Sequence, residues 1–331
     1  MPVEIRAATL ADLPLMVELL MQDARNRVAQ DPKLWVLADD APEKMGEAVK
    51  FALTAEKQPF RQKWLVADNG DKLVGVAHSI LLPVPPIYAG KWGDPGLLMP
   101  ECFATADAPS GTIPALVEAA EADLREAGAE LLLASFICGD GLRVCFEQRG
   151  YRPLTLYLAK SNLGGAATHS DVRPALDNDI AGIVTRSAEN RKILAGLDVF
   201  WTPHADADDR FGNWMRRCQT MNDRDMLVCG PPEALDGYVI AQPASRLHFP
   251  PAHDIRATGV IDDYYHREYS NPVELHDGGE AASSLLRAAE AAFMSRGMNA
   301  VVVVCPAAWT SKIAVLERAG YKTAIMWMIK R

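Results

Sequence analysis

The sequence lacks the features that mark secreted, membrane-spanning or nucleic-acid-binding proteins. None of its six cysteines forms a C-x-x-C pair, which argues against a zinc ribbon or a disulfide framework and fits a reduced compartment. No cluster of five or more basic residues occurs, and the net charge is −9, which argues against nucleic-acid or anionic-membrane binding. The longest apolar runs, such as 300–305, are far shorter than a membrane span, and the first residues do not resemble a signal peptide. These absences predict a soluble, cytoplasmic protein.

The 331 residues suffice for two domains, and the two halves of the chain repeat one another. The segment 5–13 returns at 172–180, the hairpin 64–77 aligns without a gap on 226–239, and the closing motif 146–151 returns at 316–321. In each half a long helix stops at a glycine, Gly128 or Gly297, and an apolar strand follows. The repeat predicts two copies of a β-α-β-β-β-α-β-α-β unit, at 1–162 and 171–331, with a linker at 161–170.

Each copy resembles the GNAT N-acyltransferase superfamily. The resemblance rests on the order of the elements and on three motifs: the opening I-R-x-A-T-x-A-D-L, the hairpin strand L-V-G-V-A, and the closing E-x-x-G-Y. It implies an α/β fold of two GNAT-like mixed-sheet domains in tandem. It also implies transfer of an acetyl or other acyl group from acyl-CoA, the co-substrate, to a primary amine on a small molecule or a protein.

In that family the acyl-CoA lies between two splayed parallel strands, with its pyrophosphate on the amides that begin the third helix. The family's loop there reads Q/R-x-x-G-x-G/A. In the second copy, Asp277 and Glu280 have the spacing of a capping box, which would compete with phosphate. In the first copy the loop is neutral. The resemblance places the cofactor-binding positions at Ser110, Gly111 and Thr112 in the first copy and at Gly278, Gly279 and Ala282 in the second.

An acidic residue recurs in the fourth strand of each copy, Glu101 in the first and Asp263 in the second, where the family often keeps its base. We predict that Asp263 acts with His253 as the base, supported by Asp262 and His266. Strand alternation puts Asp263 and Tyr265 on one face and Asp262, Tyr264 and His266 on the other.

Two further predictions concern the acceptor and the leaving group. Tyr88 and Trp201 are predicted to line acceptor pockets. The tyrosine with which the family often protonates the leaving thiolate is replaced by Phe146 and Leu316. An acyl-cysteine at Cys138 or Cys305 is an alternative route, whereas no metal site is predicted because no tight spacing such as H-E-x-x-H occurs.

Two hypotheses follow. The first is an acyl-CoA-dependent N-acyltransferase in which at least one domain is degenerate. The second is a non-catalytic pseudo-acetyltransferase that binds or scaffolds a ligand. The sequence does not decide which copy works, because the first has the more favourable phosphate loop and the second the richer polar cluster. A monomer and a homodimer are both compatible with a tandem pair.

Overall fold

The computed structural model describes residues 3–164, 171–247 and 249–331. The first half contains, in chain order, β1 (Glu4–Ala7), α1 (Leu13–Gln30), α2 (Ala41–Thr54), β2 (Gln62–Asp68), β3 (Leu73–Leu81), β4 (Gly96–Ala104), α3 (Thr112–Glu126), β5 (Leu132–Ile137), α4 (Leu142–Gln148) and β6 (Arg152–Ser161). The second half contains β7 (Val172–Pro174), α5 (Ile180–Leu197), α6 (Ala207–Gln219), β8 (Asp225–Cys229), β9 (Gly237–Pro243), β10 (Thr258–Ile261), β11 (Tyr264–His266), α7 (Glu280–Ser295), β12 (Ala300–Pro306), α8 (Thr310–Arg318) and β13 (Lys322–Lys330).

The predicted fold class is confirmed, and each half has one helix more than the predicted unit. The additional helices are α2 and α6, each of which precedes the hairpin of its half. In α6, Phe211, Met215 and Cys218 are buried at helical spacing, so a sequence signal for this helix was present. The predicted glycine stops are also found, because Gly128 and Gly297 follow α3 and α7 with φ of 94° and 77°, a conformation that favours glycine.

The last strand of each half is inserted into the sheet of the other half. β6 pairs with β12 of the second half, and β13 pairs with β5 of the first half. β6 and β13 also pair with each other, so that 13 strands form a single sheet. The domain boundaries therefore remain a proposal, and residues 165–170 of the predicted linker lie outside the described residues.

Reciprocal ion pairs accompany this strand exchange. Lys330 on β13 donates to Glu121 on α3, and Lys160 on β6 donates to Glu290 on α7, each at 2.9 Å. Both glutamates are buried and paired with a cation from the other half, and Glu121 is also paired with Arg149 of its own half at 3.1 Å. The exchange thus joins the halves by charge as well as by backbone hydrogen bonds.

Two parallel strand pairs part at the centre of the halves. β4 pairs with β5 only over 96–98 and 132–134, after which the strands diverge. β10 pairs with β12 over 258–261 and 300–303, and the chain then leaves this line to form β11, which pairs with β9. Around β2 and β3, α1 and α2 cover one face of the sheet and α3 the other. Within the described residues, no helix has the length and apolar character needed to cross a bilayer.

The repeated opening motif forms the same ion pair in both halves. Arg6 donates to Asp12 at 2.8 Å, and Arg173 donates to Asp179 at 2.6 Å. Each aspartate also accepts a backbone N–H at the turn that starts the first helix, from Thr9 or Leu176 at 2.8 Å. The motif therefore fixes the junction between the first strand and the first helix of each half.

We expect Asp179→Asn to lower the free energy of unfolding by about 2 kcal/mol at pH 7, because it removes charge-assisted hydrogen bonds. Hydrogen bonding to Arg173 lowers the pKa of Asp179 in the folded chain. A carboxyl with a lowered pKa stabilises the fold above its unfolded pKa of about 4, and this contribution is lost as the pH falls below that value. The difference between wild type and variant, measured by urea unfolding, should therefore shrink toward about pH 3. Asp177→Asn, at an exposed position of the same turn, is the control; equal losses at pH 7 would contradict the assignment.

Candidate active site

An open cleft passes through the sheet of the first half where β4 and β5 part. It has about 810 Å³ of empty volume, part of it open to solvent. Residues of α1, β4 and the starts of α3 and α4 line it, among them Arg27, Gln30, Cys102, Ile113 and Leu142. The cleft therefore connects the first turn of α3 with the α1 side of the sheet.

The start of α3 lies at this cleft with its amide groups uncapped by side chains. Gly111 is the N-cap residue, and no side chain of the described residues caps it. Ser110 is exposed, and the Thr112 hydroxyl donates to the Pro109 carbonyl at 2.7 Å, which fixes the turn. The three predicted cofactor positions of the first half therefore stand at a helix start that can accept an anion.

A buried polar cluster lies behind the cleft on the α1 side of β4. Glu101 is 3% exposed, and its carboxylate lies 3.9 Å from Nδ1 of His78. Arg27 on α1 forms an ion pair with Asp23 and donates to the carbonyl of Pro100 at 2.8 Å. Burial acts to raise the pKa of Glu101, but His78 and Arg27 outweigh it and hold that pKa below its ordinary value. Glu101 is therefore an ionised carboxylate at neutral pH.

His253 belongs to the second half of the sequence but is buried against the first half. Its Nδ1 donates to the carbonyl of Trp35 at 3.3 Å, and it forms a β-bridge with Leu37. Burial lowers the pKa of His253 to about 4, with Arg27 acting in the same direction and Glu101 against it. The imidazole is therefore neutral at pH 7, and its Nε2 is an acceptor near Glu101.

Four buried polar atoms of this cluster have no hydrogen-bond partner within residues 3–164, 171–247 and 249–331. They are Arg27 Nε, His78 Nδ1, Glu101 Oε2 and His253 Nε2. Buried polar groups are rarely left unsatisfied unless water or a ligand completes them. This concentration makes the cluster a candidate site for water or a ligand.

In the second half, the start of the corresponding helix is occupied by the protein itself. The carboxylate of Glu268 accepts from the amides of Ala281 and Ala282 at 3.3 and 2.8 Å. The predicted capping box of Asp277 and Glu280 was wrong, because Gly279 is the N-cap residue and Glu268 supplies the carboxylate. Glu268 follows β11 in the sequence, far from the helix start, and for this reason local spacing did not reveal it.

The predicted cofactor positions of the second half share this occupied helix start. Gly278 is exposed, and its carbonyl accepts from Arg318 at 2.8 Å. Gly279 begins the helix, whereas Ala282 is fully buried with its amide bound to Glu268. A pyrophosphate would have to displace a carboxylate from these amides, at the cost of a charge-assisted hydrogen bond.

The splayed strands of the second half also enclose large side chains. Lys312 is 2% exposed and donates to the carbonyl of Tyr264 at 2.7 Å, between the rings of Tyr264, Tyr269 and Trp309. Burial lowers the pKa of this lysine. A residue in the fourth strand of the first half corresponds to the residue 162 positions later in the second half, and in the closing motif the difference is 170. Three cleft residues of the first half correspond to larger side chains in the second half. These replacements are Cys102 by Tyr264, Gly139 by Trp309 and Leu142 by Lys312.

The predicted pair of Asp263 and His253 is divided between the two halves. Asp263 accepts from the Tyr238 hydroxyl at 3.2 Å, and Asp262 accepts from Gln242 at 2.8 Å. Burial and the charge of Asp262 raise the pKa of Asp263. His253, by contrast, contacts Trp35 and Leu37 of the first half.

Tyr88 and Trp201 lie together at the second half, although they come from different halves. Their ring centroids are 5.5 Å apart. Tyr88 also forms a β-bridge with Pro203 of the second half. Burial raises the pKa of Tyr88, and the charge of Asp263 raises it further. The loop that carries Tyr88 therefore covers the second half, as the loop that carries His253 covers the first.

His266 and the tyrosines of β11 make hydrogen bonds within the second half. The Nδ1 of His266 accepts from the amide of Glu268 at 3.1 Å. The predicted alternation is found within β11, because the Tyr264 hydroxyl donates to Ala282 of α7 and the Tyr265 hydroxyl to Glu189 of α5. Asp262 and Asp263 lie between β10 and β11 and belong to neither strand.

The two positions that carry the family's tyrosine, and the two candidate acyl-cysteines, offer no acid or nucleophile. Phe146 and Leu316 are fully buried in the core. Burial raises the pKa of Cys138 to about 11 and that of Cys305 to about 12, so both are thiols at neutral pH. A thiol that stays protonated is a poor nucleophile, which argues against an acyl-cysteine.

The fold of this chain is similar to that of several solved structures. Neither the scan against protein-family models nor the search of the curated proteins found a match. A GCN5-related N-acetyltransferase from Sphaerobacter thermophilus is 15% identical with a TM-score of 0.56, over 99% of this chain and 95% of that one. A tandem GNAT protein from the clavulanic acid biosynthesis pathway is also 15% identical with a TM-score of 0.52, over 99% of this chain and 97% of that one. The repeated halves, the parted strands and these likenesses together show that the chain has the tandem GNAT fold.

Proposed function

We propose that the protein is an acyl-CoA-dependent N-acyltransferase whose first half carries the reaction and whose second half is non-catalytic. The contrast between the two clefts carries this proposal. The first half has an open cleft and an uncapped helix start, whereas Glu268 and Lys312 occupy the same places in the second. The two solved structures reported above are named as an N-acetyltransferase and a tandem GNAT protein, which supports acyl transfer as the chemistry.

The residues of the first half fit an acyl-CoA. The start of α3 at Gly111 would hold the pyrophosphate, and the cleft between β4 and β5 would receive the pantetheine arm. Fewer amides are free there than at an ordinary helix start, because the Thr112 amide donates to the Pro109 carbonyl at 3.2 Å and Pro114 has no amide hydrogen. When bound, this co-substrate supplies an activated acyl group as a thioester. The apolar side chains of Cys102, Ile113 and Leu142 would contact this arm, while Asp23 and Asp140 add polar groups to the same lining.

Glu101 is our proposed general base. Its carboxylate would take a proton from the ammonium group of the acceptor, directly or through one water, so that the neutral amine attacks the acyl carbon. The C–N bond forms and the C–S bond breaks, and the electron pair of that bond leaves with sulfur. The second proton that the nitrogen loses as the amide forms passes to this thiolate, directly or through water. A thiol is acidic enough to leave without a protonating tyrosine, consistent with Phe146 at that position.

His78 and His253 border this carboxylate, without a hydrogen bond to it within the described residues. His78 stacks on Trp64 with ring centroids 4.1 Å apart and lies 3.9 Å from the Glu101 carboxylate. His253 covers the cluster from the second half. Because each half receives a loop from the other within a single chain, we propose that the working unit is a monomer.

We expect isothermal titration to show one acetyl-CoA bound per chain, with a Kd within about 1 μM to 1 mM. The stoichiometry follows from the occupied helix start of the second half. Two molecules per chain would contradict the division of roles. No binding at millimolar acetyl-CoA would overturn the acetyl-CoA proposal. If binding occurs but no primary amine in a broad panel releases free CoA, the non-catalytic ligand-binding hypothesis stands in its place.

A further inference from the structure

A second cleft lies beside the first and is built by both halves of the chain. It has about 790 Å³ of empty volume, partly open to solvent, a size suited to a small molecule. Its walls come from the end of α1 and the loop after it, from β6, and from the start of the exchanged strand β13. Gln30 and Trp35 belong to the first half, whereas Lys322 and Thr323 belong to the second. The cleft therefore exists only because the last strands are exchanged.

This second cleft adjoins both the acyl-CoA cleft and the base cluster. Gln30 lines both clefts, and its side-chain amide packs against Gly139, where an added Cβ would meet it at 3.2 Å. Trp35 also lines the second cleft, and its carbonyl accepts from His253 of the base cluster. The second cleft and the base cluster therefore share the α1 side of the sheet, with Trp35 between them.

One cation of this cleft is available to a ligand. The carboxylate of Asp31, the only one that the described residues place in the lining, already accepts from two backbone amides at 3.0 and 3.1 Å and from the Ser161 hydroxyl at 2.9 Å. Lys160 is also in the lining, but Glu290 of α7 binds its ammonium group at 2.9 Å on the face of β6 opposite to Ser161. Lys322, by contrast, is exposed on β13 and has no carboxylate partner within the described parts of the chain. Lys322 can therefore pair with an anionic group of a ligand.

We propose that this second cleft is the acceptor site and that its ligand is a small amine which also bears an anionic group, with Lys322 as the residue that binds the anion. The inference rests on the proposed function, and it adds the acceptor class and a specificity-determining residue. The amine end would point toward Glu101 and the anionic end toward Lys322 and Thr323. A carboxylate and a phosphate share this recognition, because an ammonium group binds either as a point charge.

The test uses matched pairs of primary amines with acetyl-CoA and the full-length protein, and it measures the release of free CoA. Amino acids are compared with their carboxamides, and O-phosphoethanolamine with ethanolamine. We expect the anionic member of at least one pair to have a kcat/KM at least tenfold higher than its neutral partner. The first type of pair tests recognition of a carboxylate, and the second tests recognition of a phosphate. Equal rates within every pair, or turnover of neutral amines alone, would overturn the inference.

Variants at Lys322 separate charge recognition from folding. Lys322→Met should raise KM for the anionic acceptor at least tenfold, with kcat within twofold and the neutral partner unaffected. Lys322→Arg should restore most of the loss. Lys50→Met, at an exposed position of α2, is the control for removing a surface lysine. Loss of selectivity in Lys50→Met, or its retention in Lys322→Met, would contradict the role of Lys322.

Titration with acetyl-CoA distinguishes failure of the acceptor inference from failure of the proposed function. If wild type binds acetyl-CoA but turns over or binds no anionic amine of the panel, the acceptor inference is wrong and the cofactor assignment stands. If acetyl-CoA itself does not bind, the proposed function fails first and this inference fails with it.

Discussion

Replacement of Glu101 by Gln is expected to lower kcat about 100- to 1,000-fold, the usual contribution of a positioned general base. The substitution keeps the shape of the side chain but removes the proton acceptor beside His78. Steady-state rates of CoA release measure the effect. The affinity for acetyl-CoA should stay within twofold, because Glu101 lies on the α1 side of β4 and not at the start of α3. Unchanged affinity would also show that the variant is folded.

Asp263→Asn provides the discriminating comparison. Asp263 is the corresponding acid of the second half and was the base predicted from the sequence. If the first half is catalytic, this variant should keep kcat within about threefold of wild type. A large loss in Asp263→Asn with little loss in Glu101→Gln would reverse the assignment of the two halves. Losses in both would indicate that the buried acids act together.

We also expect Ile113→Glu to weaken acetyl-CoA binding at least 100-fold. Ile113 is the second residue of α3 and lines the open cleft. A glutamate there can accept from the first amides of its own helix and repels phosphate, as Glu268 does at α7. Isothermal titration measures the effect, and because Ile113 is only half-buried, the fold should tolerate the change.

The matched control is Ala281→Glu, which places the same charge at the second residue of α7. This amide already bonds to Glu268, so acetyl-CoA affinity should remain within twofold of wild type. If Ala281→Glu were the variant that lost binding, the second half would have to be the cofactor site. An equal, moderate loss in both would point to long-range electrostatic repulsion and not to a site at α3.

The order of elements could be predicted from the sequence because it depends on local signals. The repeated motifs, the apolar strands and the glycines after α3 and α7 each act over a few residues, and the structure confirms them. The exchange of β6 and β13 could not be predicted in this way. Either strand presents the same alternating pattern to β5 or to β12, so only pairing between distant segments decides which partner it takes.

The candidate site was predicted in part, for the same reason. Glu101 was identified because an acid recurs at one register of the repeat. Its neighbour His253 was assigned to the acid of its own half, Asp263, although the loop that carries it crosses to the other half. Glu268 and Lys312 were missed, yet a comparison of the halves contains a signal for one of them: Leu142 of the first half is replaced by Lys312 in the second. Such a replacement of an apolar residue by a lysine at a cleft position indicates that the cleft has changed its role.

The exchanged strands also bear on how such a protein can change over evolutionary time. A chain of the first half alone would lack β13, which lies between β5 and β6 and pairs with both. In such a chain β6 would have to pair directly with β5 or leave an open edge, and open edges favour aggregation. Under the proposed division of roles, the second half would still supply a strand to the sheet of the first. Its surface and its cleft could then diverge while β13 is kept.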